Sequence, residues 1–403
     1  MATPRQRYIP ELLEVHAADL AFLWDQRRSA MASRRHTLRE FGELNERIEA
    51  HLQGLLIAPP DALLGLLRPQ LAADDRGEAF AAAFALLRAN QPMLTALVLD
   101  AFERARGPTL DGLCDALSAA PFGSFIGELQ SVFDRAEPRS AVAAAAVLAN
   151  HRLLTSQSAR LPELLLHDDP QVCERAWRAA TVTDARDPAP AHTRPYQHAL
   201  NHPSPRVRHA AWAAAAWTGQ AQALPLLRHL AERGDAVALH WLAVLGGPDD
   251  VPRVQQAALA LEDAPARCRL LARFGHPSGL NALVRWMASD DAARAAAAGE
   301  AFERITGIEV HGERRPLPVA EDADAFEREM APLVWLPDAD KARALIDRHG
   351  EAWAAGGRWC RGRRFDLEPS PALLADADLE LRWDIGARAA LADQPVCWPP
   401  PVH

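Results

Sequence analysis

The sequence predicts an all-α fold: a solenoid of stacked antiparallel helix pairs, opened by an N-terminal helical cap and ended by a small C-terminal helical segment. Three observations predict it. Ala and Leu dominate the chain, and both are strong helix formers. Apolar residues recur at helical spacing along most of its length. A helix–turn–helix pattern then repeats through the middle and closes at Gly219, Gly246, Gly275 and Gly307, which stand 27, 29 and 32 residues apart.

Residues 1–60 read as the cap. Leu12, Val15, Leu20, Leu23 and Trp24 lie at helical spacing in a first helix, and Leu44, Ile48, Leu52 and Leu55 in a second. Pro59-Pro60 stops this segment. Residues 61–310 read as the repeat array. Phe80, Phe84 and Leu87 mark one apolar stripe, and Leu94, Leu97, Val98 and Phe102 the next. Pro92, Gly107-Pro108, Pro121 and Pro138 punctuate them, and short turns of this kind imply antiparallel neighbours.

The clearest repeat runs from Pro205 to Gly219, where Val207, Ala210, Ala211, Ala214, Ala215 and Thr218 share one helix face. Small side chains let helices approach closely, and glycine supplies the left-handed conformation that closes a helix. One pair cannot bury its apolar face alone, so copies stack. A weaker copy starts at Asp168-Asp169-Pro170. The acidic pairs Asp168-Asp169, Asp249-Asp250 and Asp290-Asp291 precede helices, which fits N-terminal capping better than catalysis. The Pro-rich stretch from Asp184 to Pro205 reads as a long loop. Residues 311–403 form a Trp-rich C-terminal segment, with a further helix over Arg382 to Leu391.

Composition narrows the function. Hydrophobic residues at 49% and charged ones at 24% are ordinary for a globular chain. The formal net charge of -9 makes nucleic acid an unfavoured partner, because such binding rests on neutralising phosphates. Lys341 is the only lysine, so nearly all positive charge is Arg. The 5 cysteines are scattered, which fits reduced thiols and a cytoplasmic location. The N-terminus lacks the apolar core of a signal peptide, and the uncharged run Ala210 to Leu227 is broken by Gly219 and Pro225, so no membrane association is expected.

No catalytic motif emerges. Lys341 is followed by Ala342, which excludes a P-loop, and no His-Glu dipeptide occurs. Gly123-Ser124-Phe125-Ile126-Gly127 is out of register for a nucleophile elbow. His198 and His202 precede Pro203 and read as loop histidines, so neither a metal nor a cofactor is expected.

Two surfaces are candidates for a protein partner. In the clearest repeat, Arg208, His209 and Trp212 lie away from the small-residue face. Arg208 and Trp212 are one turn apart, which allows cation–π stacking, and an outward Trp would anchor a partner. The competing reading packs Trp212 against a neighbouring repeat. The second candidate is Arg358, Trp359, Arg361, Arg363 and Arg364, where basic residues around a Trp could grip carboxylates or phosphates. Its rival is a solvated turn with Trp359 tucked beneath.

The Pro-x-Val-Arg-x-Ala-Ala copy ending at Gly219 resembles the HEAT and PBS-lyase-type helical repeats. Three further stretches resemble a proteobacterial family of uncharacterised HEAT-repeat proteins. They are Glu46 to Leu55, Ala298 to Gly307, and Gly357 to Gly362 with Leu379 to Leu391 behind it. This resemblance implies a non-catalytic accessory protein near type VI secretion components. Its partner would be a secreted effector or spike component, and its role that of adaptor, chaperone or immunity-type protein. The alternative is an enzyme or nucleic-acid-acting protein of the DNA glycosylase type on a HEAT scaffold. That function needs a positive concave channel, which the acidic balance disfavours.

Overall fold

The computed structural model describes residues 8–121, 123, 125–187, 189–317, 324–354, 356–365 and 369–401. Helices dominate. The first stretch holds α1 (Pro10–Ala30), α2 (Leu38–Leu56), α3 (Pro60–Leu67) and α4 (Arg76–Arg88). Helix pairs follow: α5 (Pro92–Arg104) with α6 (Gly107–Ala119), α7 (Ile126–Arg135) with α8 (Pro138–Asn150), α9 (Leu161–Leu165) with α10 (Pro170–Asp184), and α11 (Tyr196–Leu200) with α12 (Pro205–Trp217). The pattern continues as α13 (Leu224–Glu232) with α14 (Ala236–Leu245), α15 (Val251–Ala260) with α16 (Ala264–Phe274), and α17 (Leu280–Met287) with α18 (Ala292–Thr306). The C-terminal part holds β1 (His311–Pro316), α19 (Ala325–Glu329), β2 (Leu333–Pro337), α20 (Ala339–Ala354), β3 (Trp359–Cys360), β4 (Arg363–Arg364), α21 (Pro371–Asp376) and α22 (Leu379–Leu391). No single described helix is long and apolar enough to cross a membrane.

The chain forms two compact units. One comprises residues 1–220 and 374–403, the other residues 221–373. The compact units therefore do not follow the expected divisions at 60 and 310, and the Trp-rich segment is shared between them.

In the first unit α1, α4, α6, α8, α10 and α12 each pack on the next, forming an inner row. The second helix of each pair supplies that row, and the first flanks it. The row is tight because its residues are small. Every residue from Ala79 to Leu87 in α4 is buried, and Gly112 of α6 sits so close to α4 that a Cβ would lie 2.3 Å from the Arg76 carbonyl oxygen. In α1 the buried face is Leu13, Ala17, Leu20 and Trp24, whereas Leu12 and Val15 are exposed. Spacing alone had merged these two faces.

The C-terminal helix closes this unit. Helix α22 packs on α12, and its other contacts reach the turn between α1 and α2. The Leu379 N–H donates to His36 O at 2.9 Å, the Glu380 N–H to Ser33 O at 3.1 Å, and the Trp383 indole to Met31 O at 2.8 Å. Arg34 pairs with Glu380 at 3.0 Å.

In the second unit α14, α16 and α18 form the inner row. Two antiparallel hairpins, β1 with β2 and β3 with β4, make the C-terminal segment less purely helical than expected. Strand β2 packs on α18. The β3–β4 hairpin docks by its backbone on the ends of α16 and α18: Trp359 N–H donates to Gly275 O at 2.7 Å, Arg361 N–H to Arg304 O at 2.6 Å and Gly362 N–H to Ile305 O at 3.1 Å. Gly275 and Gly307 are required here. Both are left-handed, with φ of 71° and 70°, and a Cβ would lie 2.4 Å from Trp359 O and 2.5 Å from the Arg361 carbonyl carbon.

The capping expectation holds at Asp169 and Asp291, whose carboxylates accept N–H groups of the first turns of α10 and α18. Asp235 and Asp263 do the same for α14 and α16. Asp250 differs. It is buried, accepts the Gly247 N–H, and holds Arg228 through two hydrogen bonds of 2.8 and 3.0 Å. Gly246 differs too: its backbone is extended, so α14 does not end left-handed. The Pro-rich stretch after Asp184 is not an open loop, because it contains a 3-10 turn over Ala189–Thr193 and then α11.

Candidate binding site

The inner row of the first unit curls around a cavity of about 520 Å³. Arg28 of α1 and Arg206 of α12 line the same space, so the two ends of the row face one interior. The cavity exists because α8 contributes Val142, Ala143 and Ala146 where α6 and α10 contribute long charged side chains.

Its anchor is Asp115, which is fully buried on α6. The carboxylate accepts from Arg76 Nε at 2.8 Å and Nη2 at 2.7 Å, and from the Trp24 indole at 2.9 Å. Arg28 Nε lies 3.9 Å from the same group. Burial opposes the charge on Arg76, yet the hydrogen bond and charge of Asp115 outweigh it and raise the Arg76 pKa. Asp111, one helical turn earlier, pairs with Arg175 of α10 and so ties α6 to α10 across α8.

The outer wall is also arginine. Arg106 pairs with Glu137 at 3.2 Å, Arg139 with Asp169 at 2.9 Å, and Arg178 with Glu174 at 2.8 Å. Arg206 is exposed and makes no ion pair among the described residues. Seven arginines and three carboxylates line the cavity, and Asp25, Glu137 and Asp169 off the lining pair with Arg28, Arg106 and Arg139, so the charges nearly balance and the excess is the Arg206 guanidinium. Cys114 also lines it, but burial pushes its thiol to about 12, so it stays protonated. The arrangement presents many fixed N–H donors. Among the described residues no group of three His, Cys, Asp or Glu is placed to hold a metal ion.

The residues singled out from the sequence lie elsewhere. Trp212 is not an outward anchor: only 1% of its surface is exposed, because α12 is packed by α10, α11 and α22. Its indole N–H is buried with no hydrogen-bond partner among the described residues. Arg208 folds back to donate to His202 O and Pro203 O at 2.8 and 3.0 Å, bracing the turn before its own helix. His209 remains exposed.

Arg358 is likewise no surface residue. It is buried, and its guanidinium donates to the carbonyls of Ala243, Val244 and Gly246 at the end of α14 and of Arg273 and Phe274 at the end of α16. The rings of Phe274 and Phe365 lie 4.7 and 5.0 Å from it. Trp359 is half-buried against the hairpin turn, and its indole donates to Gly356 O. Arg361 and Arg363 are exposed, while Arg364 is half-buried over Gly357. This cluster caps helix ends.

The cavity arginines carried a signal in register. Arg139 and Arg206 each follow the proline that opens an inner helix, Pro138 and Pro205. Two such positions in a chain rich in arginine did not stand out.

Stacked helix pairs with a tight inner row define an all-α repeat solenoid. Residues 158–246, spanning α9 to α14, match the family model for HEAT repeats. The chain therefore carries HEAT repeats, an architecture that generally mediates protein–protein interaction. No curated protein and no solved structure matches the chain.

Proposed function

We propose that this chain is a non-catalytic, cytoplasmic, protein-binding scaffold that receives its partner in the arginine-lined cavity of the first unit. One observation carries the reading: six helices spread over the first half of the chain direct their charged side chains into a single space of about 520 Å³. The HEAT repeats support an interaction role. The family resemblance supports a narrower form, an adaptor, chaperone or immunity-type protein beside type VI secretion components, with an effector or spike component as partner.

The test is a photo-cross-linking amino acid at Ala146, which lines the cavity from α8, with the protein expressed in its own host. The expected result is a discrete cross-linked protein that is absent when the probe replaces the exposed Leu259 of α15. Equal labelling from both positions, or none from Ala146, sinks the proposal.

A further inference from the structure

We infer that the element received by this cavity is an acidic segment of a polypeptide, gripped through its carboxylates; the inference rests on the scaffold reading above. The chain is acidic overall, yet seven arginines converge on one cavity, six of them paired with carboxylates that leave further N–H donors open. Arginine presents a planar fork of donors that matches a carboxylate in two parallel hydrogen bonds. The cavity already displays that geometry internally, where Arg76 holds Asp115 through Nε and Nη2.

The arginines nearest solvent keep donor capacity. The Arg178 and Arg139 side chains are 50% and 56% exposed although each touches one carboxylate. Arg206 is exposed and has no carboxylate partner among the described residues. A guanidinium carries five N–H donors, so one neighbouring carboxylate leaves several for an incoming group.

The charge pattern favours a peptide over a polyphosphate. Asp111 and Glu174 also line the cavity, and a phosphate backbone brings no N–H donor for them. A peptide brings carboxylates for the arginines together with backbone N–H donors for those two acids. The volume lies in the range of enclosed ligand sites, roughly 300–1,000 Å³, which suits a few residues of an inserted segment.

The experiment is fluorescence anisotropy on the full chain with three labelled probes: a short peptide of alternating Glu and Asp, the same peptide in Gln and Asn, and an oligothymidylate of equal length. The acidic peptide is expected to bind, to weaken with added salt, and to lose at least about tenfold in affinity in an Arg178→Glu/Arg206→Glu double variant. Both positions are solvent-exposed, so the variant should keep the parent thermal melt. An Arg178→Gln/Arg206→Gln pair repeats the test without reversing charge. Equal binding of the neutral peptide overturns the inference, and so does oligothymidylate binding with the same arginine dependence. Absent peptide binding with Ala146 cross-linking retained overturns the acidic assignment alone. Loss of both removes the scaffold reading as well.

Discussion

Arg358 sits among arginines and a tryptophan that look, in sequence, like a gripping surface. In the structure its guanidinium closes the ends of two helices, α14 and α16, whose last carbonyls have no partner within their own helices. Truncation leaves several buried carbonyls unsatisfied, so Arg358→Ala should destabilise the second unit by on the order of 3–5 kcal/mol. Arg358→Lys should recover little, because one ammonium cannot reach both helix ends. Denaturant midpoints read both, and a near-parental midpoint for either variant contradicts this role. Trp212 shows the same difficulty from the other side. Helical spacing put it opposite the small-residue face, and that face assignment holds. What spacing could not show is that α12 is packed by α10, α11 and, from far along the sequence, α22, so that Trp212 is buried as well.

Charged residues set a pH dependence at this scale as well. Burial works against the charge on Asp250, but Arg228, the Gly247 N–H and Arg253 outweigh it and hold its carboxyl below the ordinary 3.8. The Gln171 N–H, then Arg139, lower Asp169, and the Thr37 backbone and Arg88 lower Glu40 and Glu49 respectively. A carboxyl depressed in the folded state stabilises the fold above its unfolded value, and that stability is lost as pH falls through the folded value. Asp184 has the opposite sign, since burial raises it despite Arg194. Denaturant midpoints should therefore hold at neutral pH and drop below the ordinary carboxylate range of 3.8 to 4.5. Asp250→Asn should flatten part of that drop. An unchanged acid limb in the variant argues against the Asp250 contribution.

Among elements, α22 is the one whose placement matters most for the cavity, because it packs on α12 and hydrogen-bonds to the turn after α1, at the two ends of the row that lines it. Gly386 makes the contact close: a Cβ there would lie 2.4 Å from the Trp217 ring and 2.5 Å from the Cys397 sulfur. Helix propensity alone predicts that Gly386→Ala stabilises α22 by about 0.8–1.0 kcal/mol. Overpacking against a buried indole costs roughly 1–3 kcal/mol, so the contact should win and the variant should be less stable. A raised melting temperature would show that Trp217 yields freely. The helices themselves were legible in the sequence, because Asp or Pro at their starts and Ala and Leu periodicity within them are local signals. The β1–β2 and β3–β4 hairpins were not. Each is held by what it packs on, α18 for the first and the ends of α16 and α18 for the second, and neither contact leaves a local pattern.

At the scale of the whole chain the inner rows were legible, and the cavity was not. Its lining comes from residues between Arg28 and Arg206, each of which reads locally as an ordinary solvated charge. Only the curl of the row makes them one site. Such rows are held by contacts between adjacent helices, so stability should be local in the way of repeat arrays. Two buried networks test this. Asp115 joins α6 to Trp24 of α1 and Arg76 of α4, while Arg358 joins α14 to α16. In amide hydrogen exchange, Asp115→Ala should expose α1, α4 and α6 and leave α16 and α18 protected. Arg358→Ala should do the reverse, loosening the ends of α14 and α16 with α4 and α6 unaffected. If either variant lowers protection uniformly across all these helices, the chain unfolds as one cooperative body, and a partner engaging the cavity would then be felt in the second unit as strongly as in the first.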